Sequence, residues 1–250
     1  MRQVRRIGII GYGDFSKVLI EILSPYANIV VSSRSSVSGD AGHGAIFAPN
    51  DDVLGSDVII PSIPAQFLEE FFTAHRPLVN PMSLVVDVAS VKVRPLEALE
   101  RILPASCQLL GTHPMFGPAS ITKNGGLKGL KCVVCPVRVD SGVENSIVTF
   151  LKNQLGLEVI YKTADEHDRE MAYVQGLTHF IGHTLDEMGI PSSNISTMAY
   201  DDLLGLKNVQ GGDSWDLFCS IIRENPYASE VQDRFVEAYL EVKEKLTKVC

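Results

Sequence analysis

Over its first 160 residues the chain alternates between two hydrophobic periods, and this limits the fold more than any other feature. Short β-branched runs at 6–10, 28–32, 57–60, 84–88, 108–111, 131–135 and 158–161 read as strands. Between them, Phe15, Val18, Leu19, Ile22 and Leu23 repeat at i, i+3, i+4, i+7 and i+8, which places them on one helical face. Phe67, Leu68, Phe71 and Phe72 follow the same rule, as do Leu96, Leu99 and Leu103 after Pro95. Short apolar strands alternating with amphipathic helices imply βαβ units around a mostly parallel sheet.

After about residue 163 the strands stop. Residues 165–189 read as one helix with apolar positions at Met171, Val174, Leu177, Ile181, Leu185 and Met188, closed by Gly189 and Pro191. Further helices are expected at about 193–208, 213–224 and 226–248, separated by Gly211-Gly212 and Asn225-Pro226. The expected organisation is a Rossmann-type dinucleotide-binding domain over 1–163 and an all-helical domain over 164–250. So few helices make a small core by themselves, so a second copy packed on them, giving a C2 homodimer, is expected.

Composition narrows the function. The formal net charge of −8 argues against general binding to nucleic-acid backbones. No apolar run approaches the ~20 residues of a membrane span. Glycines at 8, 11 and 13 break the first apolar segment, so it does not read as a signal peptide. The last residue is Cys250, so no prenylation box is expected. The five scattered cysteines suit reduced thiols in a cytosol-like compartment, so a cytoplasmic location is expected. Cys132 and Cys135 form a C-x-x-C inside the apolar run KCVVCPV, where buried thiols on a strand are expected rather than redox or zinc chemistry.

The first strand runs into Gly11-Tyr-Gly13-Asp14-Phe15-Ser16, followed at once by a helix. This is G-x-G-x-x-G with serine at the third glycine. Gly11 permits the tight turn, Gly13 lets backbone approach a pyrophosphate at the helix N-terminus, and Ser16 is small enough for helix–strand packing. A fold that prefers NAD carries an acid at the end of the second strand, whereas here Ser32, Ser33 and Arg34 stand there. That set suits the 2′-phosphate of NADP; read alone, Arg34 also fits a solvated loop. Ser62 and Ile63, after the third predicted strand, complete the expected cofactor contacts. Two more loops lie at predicted carboxyl ends of strands, DVASVK with Ser90 and GTHPMFGP with His113. Read alone, His113 fits acid–base work or a structural imidazole equally.

GTHPMFGP after DVASVK, behind GYGDFS, resembles the prephenate/arogenate dehydrogenase family of tyrosine biosynthesis. The SSR turn and the later GGDSWDLF resemble its plant-type, NADP-dependent arogenate dehydrogenases in particular, and the similarity covers nearly the whole chain. It implies a dimeric enzyme that oxidatively decarboxylates a cyclohexadienol, with no metal. His113 would accept the ring hydroxyl's proton, and Ser90 would hydrogen-bond that hydroxyl. A neutral imidazole, titrating near ~6.5 in peptides, can take such a proton at working pH. Substrate contacts would come from His179, Gln175, Lys207 and Asp213. In plant-type relatives, an acid at the position of Asp213 goes with arogenate and Asn with prephenate. A helix N-cap is the alternative reading of Asp213.

Two departures stand out. Ala119 follows HPMFGP where many members have Glu. No arginine lies between Arg169 and Arg223 to hold a substrate carboxylate, so Lys207, Gln210 or a partner subunit must substitute. No added regulatory or mutase domain is expected at this length. Prephenate dehydrogenase activity giving 4-hydroxyphenylpyruvate is the alternative enzyme, and a non-catalytic dinucleotide sensor the alternative class.

Among less informative features, His179 and His183 are four apart but lack the Glu of a H-E-x-x-H zinc site. Asp165, Glu166, Asp168 and Glu170 read as acids favouring a helix N-terminus. Trp215, Leu217 and Phe218 read as helix–helix core, and Glu241, Lys243, Glu244, Lys245 and Lys248 as a solvated face.

Overall fold

The computed structural model describes residues 6–35, 38–210 and 214–249. It divides into two compact units, Met1–Asp165 and Glu166–Cys250. The first holds β1 (Arg6–Ile10), α1 (Asp14–Leu23), β2 (Asn28–Ser32), β3 (Gly39–Gly42), β4 (Ala45–Phe47) and α2 (Asn50–Leu54). Then come β5 (Val58–Pro61), α3 (Leu68–His75), β6 (Leu84–Asp87), α4 (Val93–Ile102), β7 (Gln108–Pro114) and α5 (Pro118–Asn124). β8 (Lys131–Arg138), α6 (Ser141–Asn153) and β9 (Glu158–Tyr161) complete it.

The strands form one sheet in the order β3-β4-β2-β1-β5-β6-β7-β8-β9. Pairing is parallel except at β3–β4 and β7–β8. Successive side chains on a strand point to opposite faces, so a sheet covered on both sides needs consecutive apolar residues. The chain supplies them. Ile10, Val30, Ile59, Leu109 and Val133 face one core with Leu54, Leu68, Phe72, Leu96 and Leu99 of α2, α3 and α4. Their neighbours Ile9, Val31, Ile60, Leu110 and Val134 face the other, with Leu19 and Ile20 of α1 and Val148 of α6. The same alternation puts Cys132 and Cys135, three apart, on opposite faces, both as buried free thiols. They cannot share a metal or a disulfide.

The hairpin β3–β4 adds an edge that the sequence pattern does not reveal. Its first strand, GDAG, carries a single apolar residue, and its turn holds His43 at φ 52 between two positive-φ glycines.

The helical unit opens with α7 (Ala164–Met171), a π-helical segment Ala172–Leu177, and α8 (Thr178–Glu187), running on without a break. This is the helix expected over 165–189, with one correction. The wider π turn rotates the residues beyond it about the helix axis, so the expected apolar face is not uniform: Val174 is 57% exposed and Met188 68%. α9 (Met198–Gln210) starts five residues later than the pattern suggested, because 191–197 are irregular. α10 (Trp215–Arg223) and α11 (Ala228–Val249) follow. Met171, Ala172, Ile221, Ala228 and Val231 form this unit's small core, with buried Gly176 facing Ala228. Trp215 was expected in that core and is instead 64% exposed, at the first turn of α10. Among the described residues no helix is long and apolar enough to cross a membrane.

Candidate active site

The glycine turn follows from close approach. Gly11 has φ +97, and a Cβ there would lie 2.5 Å from the Ser62 carbonyl oxygen and 2.7 Å from Ile63 Cγ2. Only glycine fits. Gly13 is the N-cap of α1, and a Cβ there would meet nothing within 4 Å. The helix N-terminus therefore opens on free space where backbone N–H groups and the dipole favour an anion.

Ser16, at the third-glycine place, is fully buried. Its hydroxyl accepts from the Gly13 N–H (3.3 Å) and donates to Ser62 Oγ (3.0 Å), which ties the β1 turn to the β5 turn. Both hydroxyls expected at the cofactor are thus engaged with each other. Asp14 is exposed and accepts from Lys17 Nζ at 2.9 Å. At the end of β2, the buried Ser32 offers its carbonyl to the Gly11 N–H (2.9 Å), and Ser33 Oγ lies 3.1 Å from Ser35 Oγ. Arg34 is exposed and has no hydrogen bond or ion pair with another described residue.

Ser90 and His113 reach the same edge of the sheet from adjacent strands. β6 pairs with β7 so that Asp87 lies opposite Gly111; Ser90 follows three residues later and His113 two. His113 was expected in a loop. It lies inside β7, because 111–114 pair antiparallel with β8, and it is buried.

A fully buried ion pair locks the two segments together. Lys92 Nζ donates to the Asp87 carboxylate and, at 2.7 Å, to the Thr112 carbonyl next to His113. Thr112 Oγ1 donates back to the Asp87 carbonyl (2.8 Å), and Asp87 Oδ1 accepts from the Ala89 N–H (3.1 Å). Sequence reasoning assigned Asp87 and Lys92 no role, although two charges bracketing a loop after a wholly apolar strand are the visible signal. Beside them, burial pushes the Cys132 thiol up to about 12, so it stays protonated. The rings of Phe15 and Phe116 approach to 6.3 Å, which joins the glycine turn to the loop after His113.

In the helical unit, Gln175, His179 and His183 stand four apart along the π segment and α8. Burial, and then the neighbouring charge of His183, lower the His179 pKa to about 4, so its imidazole is neutral. His183 packs against Phe218 (centroids 4.0 Å apart) and edge-on to Trp215 (5.7 Å). Lys207 points elsewhere, its Nζ lying 3.5 Å from the Ile190 carbonyl and 3.6 Å from Asp186. Asp213 lies outside the described residues, as does the side chain of Gln210. The cap of α10 is Ser214, whose Oγ accepts from the Leu217 N–H at 3.2 Å.

A second buried pair was likewise missed from the sequence. His167 Nδ1 lies 2.7 Å from Asp168 Oδ1, and Asn225 donates to the Asp168 carbonyl at 2.8 Å. Asp168 is therefore a core group rather than a surface acid serving the helix dipole.

Comparisons with known proteins fit this layout. A family model described as the nucleotide-binding domain of prephenate dehydrogenase matches residues 26–156. A second, described as a TYRAAT1-like C-terminal domain, matches residues 184–249. The chain is 30% identical over 262 residues to arogenate dehydrogenase 1, chloroplastic, of Arabidopsis thaliana, covering 96% of this chain and 39% of that protein. It is 29% identical over 263 residues to arogenate dehydrogenase 2, chloroplastic, of the same plant, covering 96% and 70%. Among solved structures, prephenate dehydrogenase from A. aeolicus in complex with hydroxyphenyl propionate and NAD+ superposes with a TM-score of 0.70. That alignment has 17% identity and covers 98% of this chain and 91% of that one, so the likeness is one of fold.

Proposed function

This chain belongs to the prephenate dehydrogenase family, and from that premise we propose that it converts L-arogenate to L-tyrosine by oxidative decarboxylation with NADP. The observation that carries the reading is the buried Asp87–Lys92–Thr112 lock, which fixes Ser90 and His113 at neighbouring strand ends. A proton acceptor and a hydroxyl-orienting group must be held to within a fraction of an ångström, and a fully bonded buried network does that.

In this reading Ser90 hydrogen-bonds the ring hydroxyl and a ring nitrogen of His113 takes its proton as the C–O bond becomes a carbonyl. Bound NADP supplies the acceptor for the hydride that leaves the same carbon. The ring carboxylate then departs as CO2; its bonding electrons complete the aromatic ring and leave the carbonyl oxygen as a phenolate, which takes back the proton held by His113. His113 is buried, so water is kept from competing for the proton. His179, neutral at working pH, and Gln175 are the helical unit's substrate contacts in this reading.

The residues present fit a dinucleotide. The pyrophosphate would take the open space at Gly13, above the N-terminus of a ten-residue helix. Phe15 and Ile63 would flank it, with Asp14 at its rim. Ser16 and Ser62 shape the turn through their mutual hydrogen bond. Ser32, Ser33 and the exposed Arg34 would meet the adenosine ribose, and an Arg with no competing partner among the described residues favours a 2′-phosphate. Asp213 would pair with the ammonium that arogenate carries and prephenate lacks. The row Val236, Tyr239, Leu240 and Leu246, exposed along α11, supports a homodimer through the helical unit.

The test is direct. Cofactor reduction is followed in four mixtures, arogenate or prephenate with NADP or NAD. Arogenate with NADP should be fastest. Faster reaction with prephenate would make the chain a prephenate dehydrogenase, and no reduction in any mixture would leave only dinucleotide binding.

A further inference from the structure

We infer that His183 anchors a carboxylate of the substrate, the task for which the helical unit offers no uncommitted arginine among the described residues. The inference deepens the dehydrogenase reading and takes its substrate class from it.

The basic side chains of this unit are committed elsewhere. The Arg169 guanidinium sits 4.2 Å over the Tyr227 ring. Arg234 donates to the Tyr173 hydroxyl at 2.9 Å. Lys207 is turned to Asp186 and Ile190, and Arg223 is engaged as well. Lys243, Lys245 and Lys248 lie on the exposed end of α11. Against that background, His183 Nε2 is buried and has no hydrogen-bond partner among the described residues; the same is true of Gln175 Oε1 and of Gln232 Nε2 on α11. Buried polar atoms are normally satisfied, and an exception calls for a ligand or a bound solvent molecule.

The placement suits a substrate. Gln175, His179 and His183 span eight residues, about 12 Å of helix axis at 1.5 Å per residue. A six-membered ring with a three-carbon side chain can lie along such a row. His183 is at its far end, in a corner walled by Phe218 and Trp215. An imidazole N–H in an aromatic corner is a strong donor to an anion, because no water competes there. Trp215 is the exposed wall of the corner, so the ligand enters by displacing its indole.

Trp215 is the sole tryptophan of the chain, and its emission therefore reports on this corner alone. The protein is titrated with 3-(4-hydroxyphenyl)propionate and with its primary amide. The carboxylate should give a saturable change in Trp215 emission, and the amide should bind at least about tenfold more weakly, the usual ratio for a hydrogen bond to charge. His183→Phe keeps the ring packing and removes the donor, so it should weaken carboxylate binding about tenfold or more, while NADP binding stays as in the wild type. His183→Gln restores a donor at about the same reach and should recover most of the loss. Benzoate, with its carboxylate on the ring, distinguishes the two carboxylates of the substrate. The melting temperature of His183→Phe should be unchanged or raised, since an unsatisfied nitrogen is removed; a structural histidine would instead lower it.

Equal affinity of wild type for acid and amide overturns the inference without any variant. So does an unchanged carboxylate affinity in His183→Phe. If the wild type reduces no cofactor with either substrate, the dehydrogenase reading fails, and the fluorescence titration still decides whether His183 holds a carboxylate.

Discussion

The sheet unit and the helical unit each hold a completed buried polar cluster, His167–Asp168–Asn225 in the helical case, but the helical unit also leaves several buried polar atoms unbonded among the described residues. Asp87, Lys92 and Thr112 are shut off from solvent and bonded to one another. Gln175 Oε1, His183 Nε2 and Gln232 Nε2 are buried with nothing to bond among the described residues, where the sheet unit leaves only Ser56 Oγ so. A completed network holds its geometry without a ligand and can position reacting groups. An incomplete one costs free energy until something binds and satisfies it. The contrast supports the proposed division, with the reacting groups in the first unit and adaptable recognition in the second.

The completed half should be the more costly to break. His113→Asn keeps a hydrogen-bonding group and loses the proton acceptor, so turnover should fall about 10²–10⁴-fold with NADP binding intact. Lys92→Met leaves the Asp87 carboxylate buried and uncompensated, which should cost about 3–5 kcal/mol in denaturant unfolding. Replacing both partners, with Asp87→Leu alongside Lys92→Met, should return much of that stability and still fail in turnover, because the tether to Thr112 is gone. A double variant as active as wild type would mean the lock does not position His113.

The helical half should respond to acid. His179 has a folded pKa of about 4 against an ordinary histidine value of 6.5, caused first by burial and then by the charge of His183. As pH falls below 6.5 the unfolded chain takes up the proton first, so native stability declines from there down to about 4. At 1.36 kcal/mol per pKa unit, the full loss is about 3 kcal/mol, complete at and below pH 4 and absent above 6.5. His179→Gln should flatten that part of the curve. Unfolding curves at pH 7 and pH 4 compare the two proteins, and parallel declines would put the acid sensitivity on another group.

The two halves were also unequally legible in the sequence. Pairs such as Ile9-Ile10 and Leu109-Leu110 announce a strand buried on both faces, so the central sheet and the glycine turn could be read directly. The edge hairpin could not, since Gly39–Gly42 has almost no apolar pattern to detect. Ser90 and His113 were legible as residues at strand ends, but the Asp87–Lys92 pair was not, because ion pairing depends on how 87–92 folds over Thr112. In the helical unit, periodicity located the helices and then misassigned Val174 and Met188, because a π turn is invisible to a 3.6-residue rule. The orphaned atoms of Gln175 and His183 are a property of packing alone.

Arg34, exposed just after β2, has no ion pair with another described residue, unlike the buried Asp87–Lys92 pair of the same unit. If it grips a 2′-phosphate, Arg34→Ala removes charge-assisted hydrogen bonds worth about 1.5–3 kcal/mol. The NADP Michaelis constant should rise about 10- to 150-fold with NAD use almost unchanged. Equal losses with both cofactors would mean that Arg34 serves the loop and not the phosphate.

The smallest expected effect concerns the entrance to α10, where a capping residue, Ser214, follows directly in sequence on Asp213, the residue proposed to set substrate preference. Ser214 has extended backbone (φ −67, ψ 147), and its Oγ accepts from the Leu217 N–H, one of the four donors a helix start leaves without intrahelical partners. Ser214→Ala should therefore cost about 1 kcal/mol, the ordinary value of an N-cap hydroxyl, seen as a lower unfolding midpoint. It removes no charge near a substrate, so the ratio of arogenate to prephenate efficiency should hold. Asp213→Asn should do the reverse. The capping role belongs to Ser214, so the midpoint should hold, and with the negative charge gone prephenate should gain while arogenate loses. Kinetics on both substrates, set beside melts of the two variants, separates these outcomes. A shift in substrate ratio from Ser214→Ala would show that the first turn of α10, and not the charge at Asp213, sets the preference, and would extend the incomplete polar seam of the helical unit up to the cap itself.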